Sequence, residues 1–306
     1  MRPKKTQAGT DTPTGPNSAL HANDALLAKA AELIRGADAL IISAGAGIGV
    51  DSGLPDFRGN DGFWRAYPAF EGLKMGFSEV ASPSTFETDP YLAWGFYGHR
   101  LNLYRATVPH EGFELLRQWA REMRDGCWVF TSNIDGQFEK AGFDPDFIEE
   151  CHGSIHRVQC LEDCADELWL ADTINPQVDM EACRWHGDLP DCPNCGGLAR
   201  PNVLMFGDYA WNDRVRERQR ARRLEWMSEL KAARYRPVVL ELGAGVAIPT
   251  AREFAAHARR QFDEVGARLI RINPRQALVH GPHDVSLRMG ALEALRGIQD
   301  CLVRRH

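Results

Sequence analysis

Ten histidines are spread along the 306-residue chain, and one of them stands apart by its setting. His152 directly follows the strand-like run Phe147 to Cys151 and directly precedes Gly153, which places it at the carboxyl end of a strand. An imidazole there, near its ordinary pKa, can work as a general base at neutral pH. His156, one turn or loop further on, is the contrast and is expected to matter far less. A second such place is Ser43 to Gly59, reading Ser-Ala-Gly-Ala-Gly-Ile-Gly-Val-Asp-Ser-Gly-Leu-Pro-Asp-Phe-Arg-Gly after the apolar run Ala39 to Ile42. Gly45, Gly47 and Gly49, with Ala46 between the first two, let the backbone turn tightly and approach a ligand. Free N–H groups in such a turn can cradle phosphate oxygens; the bland alternative is a plain turn. Pro55, Asp56, Phe57 and Arg58 then add a rigid turn, a carboxylate, an aromatic face and a fixed cation.

Cysteines supply a second chemistry. Cys160 and Cys164 form one close pair and Cys192 and Cys195 another, the latter as a Cys-Pro-Asn-Cys knuckle before Gly196-Gly197. Two such pairs brought together by a hairpin close a tetrahedral four-thiolate site with no open position, which makes the zinc structural. Cys183 and His186 lie between the pairs and stand as competing ligands. Eight cysteines without a secretory pattern argue for reduced thiols and a cytoplasmic setting, not a disulfide framework.

Two further groups invite a role. Tyr97 and Arg100 are three residues apart in a helical context and share a face, where a guanidinium beside a phenol suits a carboxylate. The alternative is an arginine pointing to solvent. Arg214, Arg216, Arg218, Arg220, Arg222 and Arg223 read as the solvated face of an amphipathic helix or, less simply, as a polyanion site. A formal net charge of −6 argues against a general nucleic-acid binder. No run approaches the ~20 apolar residues of a membrane span.

Positioning these groups requires strands that end near one another. Strand signals fall at 39–42, 128–131, 147–151, 203–206, 238–242 and 268–273, with helical patterns at 25–35, 112–124, 211–233 and 249–265. The alternation predicts an α/β fold: a Rossmann-like parallel sheet with helices on both faces. Ligands on such sheets bind beyond the carboxyl ends of strands. The glycine turn, Thr131 to Asp135 and Gly243-Ala244-Gly245 each follow a strand end, so they are expected to meet in one crevice. A smaller module accompanies the sheet, made of a zinc ribbon over 157–199 and an aromatic-rich helical insertion over 59–109. The expected division leaves a disordered tail over 1–23 and a discontinuous dinucleotide-binding unit over 24–58, 110–156 and 200–303.

In order along the chain, these motifs resemble those of the sirtuins, the NAD-dependent protein deacylases. The glycine string resembles the family's first signature, Thr131-Ser132-Asn133-Ile134-Asp135 its Thr-Gln-Asn-Ile-Asp, and Cys151-His152-Gly153 its His-Gly. The four cysteines resemble its zinc tetrad, Phe206-Gly207-Asp208 its Phe-Gly-Glu, and Ile272-Asn273 closes the series. The resemblance implies an enzyme that consumes NAD, releases nicotinamide and passes the acyl group of a lysine to ADP-ribose. By it, His152 takes a proton from the nicotinamide ribose hydroxyls, so that the 2′-hydroxyl attacks an imidate joining the acyl oxygen to the anomeric carbon. Asn133 and Asp135 would form the nicotinamide pocket, bordered by Asp56 and Arg58, and Phe57 would shield the anomeric carbon. Gly45, Ala46, Gly47, Ser132, Gly243, Ala244, Gly245 and Asn273 would meet the cofactor. Phe206 and Gly207 would line a groove in which an acyl-lysine peptide adds as a strand. Tyr97 and Arg100 match the Tyr-x-x-Arg with which the succinyl-, malonyl- and glutaryl-removing members grip an acyl carboxylate.

The departures bear on turnover and substrate. Ser132 stands for a family Gln, Gly49 for a Ser, Ala244 and Gly245 for Thr and Ser, Gln137-Phe138 for Leu-His, and Asp208 for a Glu. The shortened Ser132 makes protein ADP-ribosyl transfer or NAD hydrolysis the alternative to deacylation. A non-enzymatic NAD or ADP-ribose sensor is a third reading.

Overall fold

Alternation along single strands assigns the layers. In the computed structural model, which describes residues 16–56 and 59–304, strand β1 (Ala39–Ala44) is buried along its whole length. Its Leu40, Ile42 and Ala44 pack into one apolar core, and Ala39 and Ile41 into another. Side chains alternate across a strand, so burial on both faces requires helices above and below.

The first core is covered by helix α1 (Pro16–Arg35), which begins inside the stretch expected to be a tail. Residues 1–15 lie outside the described residues. After β1 the chain makes a 3-10 turn at Ala46–Ser52 and enters five helices: α2 (Gly59–Ala66), α3 (Pro68–Gly72), α4 (Phe77–Val80), α5 (Pro83–Thr88) and α6 (Pro90–Ala106). Helix α7 (Glu111–Glu122) returns to the first core, followed by β2 (Cys127–Thr131), the short α8 (Gln137–Lys140) and β3 (Ile148–Glu150). A second, smaller sheet then forms from β4 (Gly153–Cys160), β5 (Trp169–Leu170) and β8 (Ala199–Val203) in antiparallel pairs, with a hairpin of β6 (Val178–Asp179) and β7 (Arg184–Trp185) between them. Helix α9 (Arg214–Ala232), β9 (Pro237–Leu242), α10 (Thr250–Gln261), β10 (Arg268–Ile272), β11 (Val285–Leu287) and α11 (Ala291–Val303) complete the chain.

The main sheet is parallel throughout, in the order β11-β10-β9-β1-β2-β3. The chain winds from β1 to β3 in one direction and from β9 to β11 in the other. Direction therefore reverses between β1 and β9, and a crevice opens beyond their carboxyl ends.

Two sequence expectations need correcting. The apolar run 203–206 is not a strand of the main sheet; the observed strand is Ala199–Val203, paired with β4. The strand β4 likewise runs from 153 to 160, across the expected boundary at 156. Apolar character alone does not reveal which edge a strand joins, and here the first partner is the metal module. Strand β11 had no expectation because Val-Ser-Leu is too short to show a period.

Helix α6 packs on the β6–β7 hairpin through glycines. A Cβ on Gly95 would sit 1.9 Å from the Cys183 carbonyl oxygen, and one on Gly98 would meet the Trp185 ring at 3.1 Å. The helical and metal-binding pieces thus share one core, built around Phe63, Phe70, Phe86, Trp94, Phe96, Tyr97 and Trp185.

Candidate active site

The crevice is stitched together by backbone bonds at the carboxyl ends of the strands. The Gly45 amide donates to the Leu242 carbonyl at 3.0 Å and the Gly47 amide to Gly243 at 3.1 Å. The Ser132 amide donates to Ala44 at 3.0 Å. Asn133 Nδ2 reaches the Gly45 carbonyl at 3.3 Å, and Asn273 Nδ2 the Ala244 carbonyl at 3.0 Å. The expected meeting of the three loops is therefore found. Two of the glycines also serve the packing of these loops: a Cβ on Gly47 would lie 2.7 Å from Gly243 Cα, and one on Gly45 2.8 Å from Ala244 Cα. At both positions the missing side chain admits the backbone of the loop after β9. Gly243, at φ +61, completes this contact.

His152 is partly buried where β3 hands over to β4. Its carbonyl accepts from the Leu204 amide at 2.9 Å, fixing the turn against the end of β8. Burial lowers the imidazole pKa below its ordinary value and Arg216 of α9 pushes the same way, while the Ser132 backbone opposes them. His152 is therefore neutral at pH 7 and beside the Ser132 loop, as a proton acceptor must be. His156 is engaged differently, with Nε2 lying 3.1 Å from the Asp135 carbonyl oxygen and its ring packed on Gly136.

Asp135 is buried, and that burial, helped by Glu150, pushes its carboxyl up to about 6. The Gln137 amide at 3.0 Å from Oδ1 pulls the other way. Gln137, a departure from the family pattern, is itself buried and donates from Nε2 to the Tyr104 carbonyl at 3.2 Å. Phe138 fills the core against Phe113 and Phe143, so both substitutions serve packing. Ser132 directs Oγ back to the Ala44 carbonyl at 3.4 Å. Asp56 is half-buried; Phe57 and Arg58 lie outside the described residues.

The pH dependence has a definite sign. At pH 7.5 Asp135 is ionised and His152 neutral; acid protonates Asp135 near its raised pKa of about 6 and His152 below its ordinary value, and either event removes the required state. We expect kcat/KM to be level above pH ~7 and to fall below pH ~6 by about tenfold per unit or more steeply. A rate profile level down to pH ~5 would contradict this assignment of proton states.

Across the crevice, Gly207 takes a left-handed φ of +67 and exposes Phe206, whose ring meets Phe77 edge-on at 5.7 Å. Asp208 anchors this loop. Both its oxygens take the Arg200 fork, at 2.7 and 2.9 Å, and they also accept from the Met205 and Ala210 amides. The shorter acid is thus fully engaged. Both side chains have no exposure, so Asp208→Ala leaves a buried guanidinium unpaired; a loss of about 3–5 kcal/mol is expected in chemical denaturation.

Tyr97 and Arg100 both face inward. Arg100 donates to the Tyr104 hydroxyl from Nε (2.9 Å) and Nη2 (2.6 Å) and lies against the Phe96 and Tyr104 rings. This overturns the solvent-pointing alternative. The arginine run of α9 is largely spent on the protein's own acids: Arg223 on buried Glu149 at 2.5 Å, Arg214 on Asp166, Arg220 on Glu217 and Arg222 near Asp146.

Cys160, Cys164, Cys192 and Cys195 bring their Sγ atoms within 4.8 Å of one another. Four thiols at that spacing fit a structural zinc ion by size and donor chemistry. Cys183 lies instead in the aromatic core, and His186 is not part of the cluster, which settles the choice between ligands.

A doubly wound sheet whose strand ends carry a glycine turn, a buried amide-carboxyl pair and a histidine, beside a four-cysteine module, defines a dinucleotide-binding protein with a metal-stabilised second unit. The Sir2 family profile matches residues 45–225. An NAD-dependent protein deacylase of Thermococcus kodakarensis is 30% identical over 286 residues, covering 92% of this chain and 99% of that one. One from Aquifex aeolicus is 28% identical, covering 87% and 96%. Among solved structures, a Sir2 enzyme aligns with a TM-score of 0.62 and 26% identity over 92% of this chain and all of that one. A histidine-to-asparagine variant of a Sir2 homologue bound to ADP-ribose aligns at 0.60 and 25% identity, covering 90% and 97%. The chain belongs to the Sir2 family.

Proposed function

We propose that this protein removes acyl groups from protein lysines with NAD as co-substrate, releasing nicotinamide and leaving the acyl group on ADP-ribose. The observation that carries the reading is His152, neutral and partly buried, beside a loop that is hydrogen-bonded to the glycine turn. The buried polar set at the strand ends, Asn133, Asp135 and Asn273, fits a dinucleotide laid across the switch point. In that arrangement Asn133 and Asp135 hold the carboxamide, and His152 accepts the proton of a ribose hydroxyl. The loops after β8 and β9, with Phe206, Val246 and Ile248 exposed, border the groove for an extended peptide.

The acyl group we assign to Tyr97 and Arg100 is an acidic one, succinyl or malonyl, alongside acetyl. A buried guanidinium ringed by the phenols of Tyr67, Tyr97 and Tyr104 is suited to a carboxylate that trades places with the Tyr104 hydroxyl. Incubation with NAD and acetyl-, succinyl- and glutaryl-lysine peptides, read by mass spectrometry, tests both levels. O-acyl-ADP-ribose is the expected product, with Arg100→Met lowering the acidic peptides selectively. Nicotinamide release without any acyl peptide consumed would favour NAD hydrolysis or ADP-ribosyl transfer instead. The tethered Ser132 hydroxyl is the observation behind that second reading.

A further inference from the structure

We infer that Arg252 is a positioning residue that sets the shape of the adenosine half of the dinucleotide site. The inference rests on the NAD reading of the crevice. With the nicotinamide end at His152 and Asp135, beyond β2 and β3, the adenosine end falls across the switch point, over the loops that follow β9 and β10.

Glu241 is the starting point. It lies in β9 on the face covered by α10, one residue from the cofactor loop, and it has no exposure. A carboxylate buried there must be paired. Arg271, its direct neighbour on β10, supplies the pairing with Nε and Nη2, each at 2.7 Å. Arg252, from the first turn of α10, comes no closer than 3.6 Å to the same carboxylate. Its Nη2 is engaged elsewhere: it donates to the Ala244 carbonyl at 3.1 Å and to the Gln276 carbonyl at 2.5 Å.

One nitrogen thus ties the loop after β9 to the loop after β10. Asn273 Nδ2 donates to the same Ala244 oxygen, and Arg271 Nη1 to the Leu278 carbonyl, so both loops are drawn onto the charged cluster beneath them. Ala244 and Gly245 have no hydroxyls with which to order themselves or bind a ribose, and a Cβ on Gly245 would meet open space. The loop's shape is imposed from below. Two guanidiniums against one carboxylate also leave net positive charge under the place where the diphosphate passes, which favours an anionic ligand.

The test uses the full-length, zinc-loaded protein with Arg252→Ala, Arg252→Lys and Arg252→Gln. Steady-state kinetics against NAD and an acyl-lysine peptide are combined with calorimetry of ADP-ribose. Arg252→Ala is expected to raise KM for NAD and Kd for ADP-ribose by roughly tenfold or more. The values of kcat, peptide KM and the nicotinamide inhibition constant should stay within about twofold, since they report the other end. Lysine, a point charge, should recover part of the loss where glutamine does not. Unchanged affinity for NAD and ADP-ribose in a folded variant overturns the inference, and so do equal losses in kcat and peptide KM. Failure of all three variants to fold overturns it as well, because Arg252 would then be a partner of Glu241 and nothing more. A wild-type protein that neither binds ADP-ribose nor consumes NAD instead removes the crevice reading itself.

Discussion

His152→Ala is expected to lower kcat/KM for deacylation by about two to four orders of magnitude while leaving the melting temperature and ADP-ribose affinity near those of the parent. The size follows from the position. No other imidazole among the described residues shares the setting: His156 is committed to the Asp135 carbonyl, and His110 to the 3-10 turn through Ile48 and to the start of α7. The mild effect on stability follows from the same geometry. His152 holds the end of β8 through its backbone carbonyl, which alanine retains, while alanine loses the imidazole's bond to the Ser132 backbone. Equal activity in His152→Ala would place the base elsewhere. A variant that melts several degrees lower and loses ADP-ribose as well would make the histidine a structural residue.

Removing zinc is the second large perturbation. In zinc-binding peptides the metal contributes on the order of 10 kcal/mol of folding energy. The four thiols here close a module whose own strands, β5, β6 and β7, are two residues each. Chelation under reducing conditions, or Cys192→Ser, is expected to expose the segment between Cys160 and Ala199 to protease and to abolish deacylation. Activity should fail because Cys160 ends the strand that begins one residue after His152. A chelated protein that keeps its protease resistance and its turnover would show that the thiols need no metal.

The parallel sheet was legible because burial on both faces writes itself as short apolar runs, as in Ala39–Ile42 and Val238–Leu242. The metal ligands were legible because the chemistry needs two close pairs. Less could be read where one residue's meaning depends on a partner far along the chain. Glu241 interrupts an apolar strand, and only Arg271 and Arg252 explain it. Gly45 and Gly47 read as a tight turn, and only the fold shows that their missing side chains also make room for Gly243 and Ala244. Asp208 is shorter than the family's Glu, and only the fold shows that Arg200 lies within its reach. Gln137 and Phe138 looked like altered site residues and serve packing behind Asp135. The misplaced strand at 203–206 has the same origin, since a run's apolar content is silent about its neighbour.

The contact at Gly95 has an engineering consequence. With a carbonyl oxygen 1.9 Å from where any side chain would begin, the helix bearing Tyr97 and Arg100 and the hairpin bearing Cys183 cannot be exchanged separately. A chimera that imports a foreign helix with a side chain at this position would jam against the Cys183 carbonyl. One that transplants the ribbon together with residues 90–106 would keep the seam intact as a single cassette.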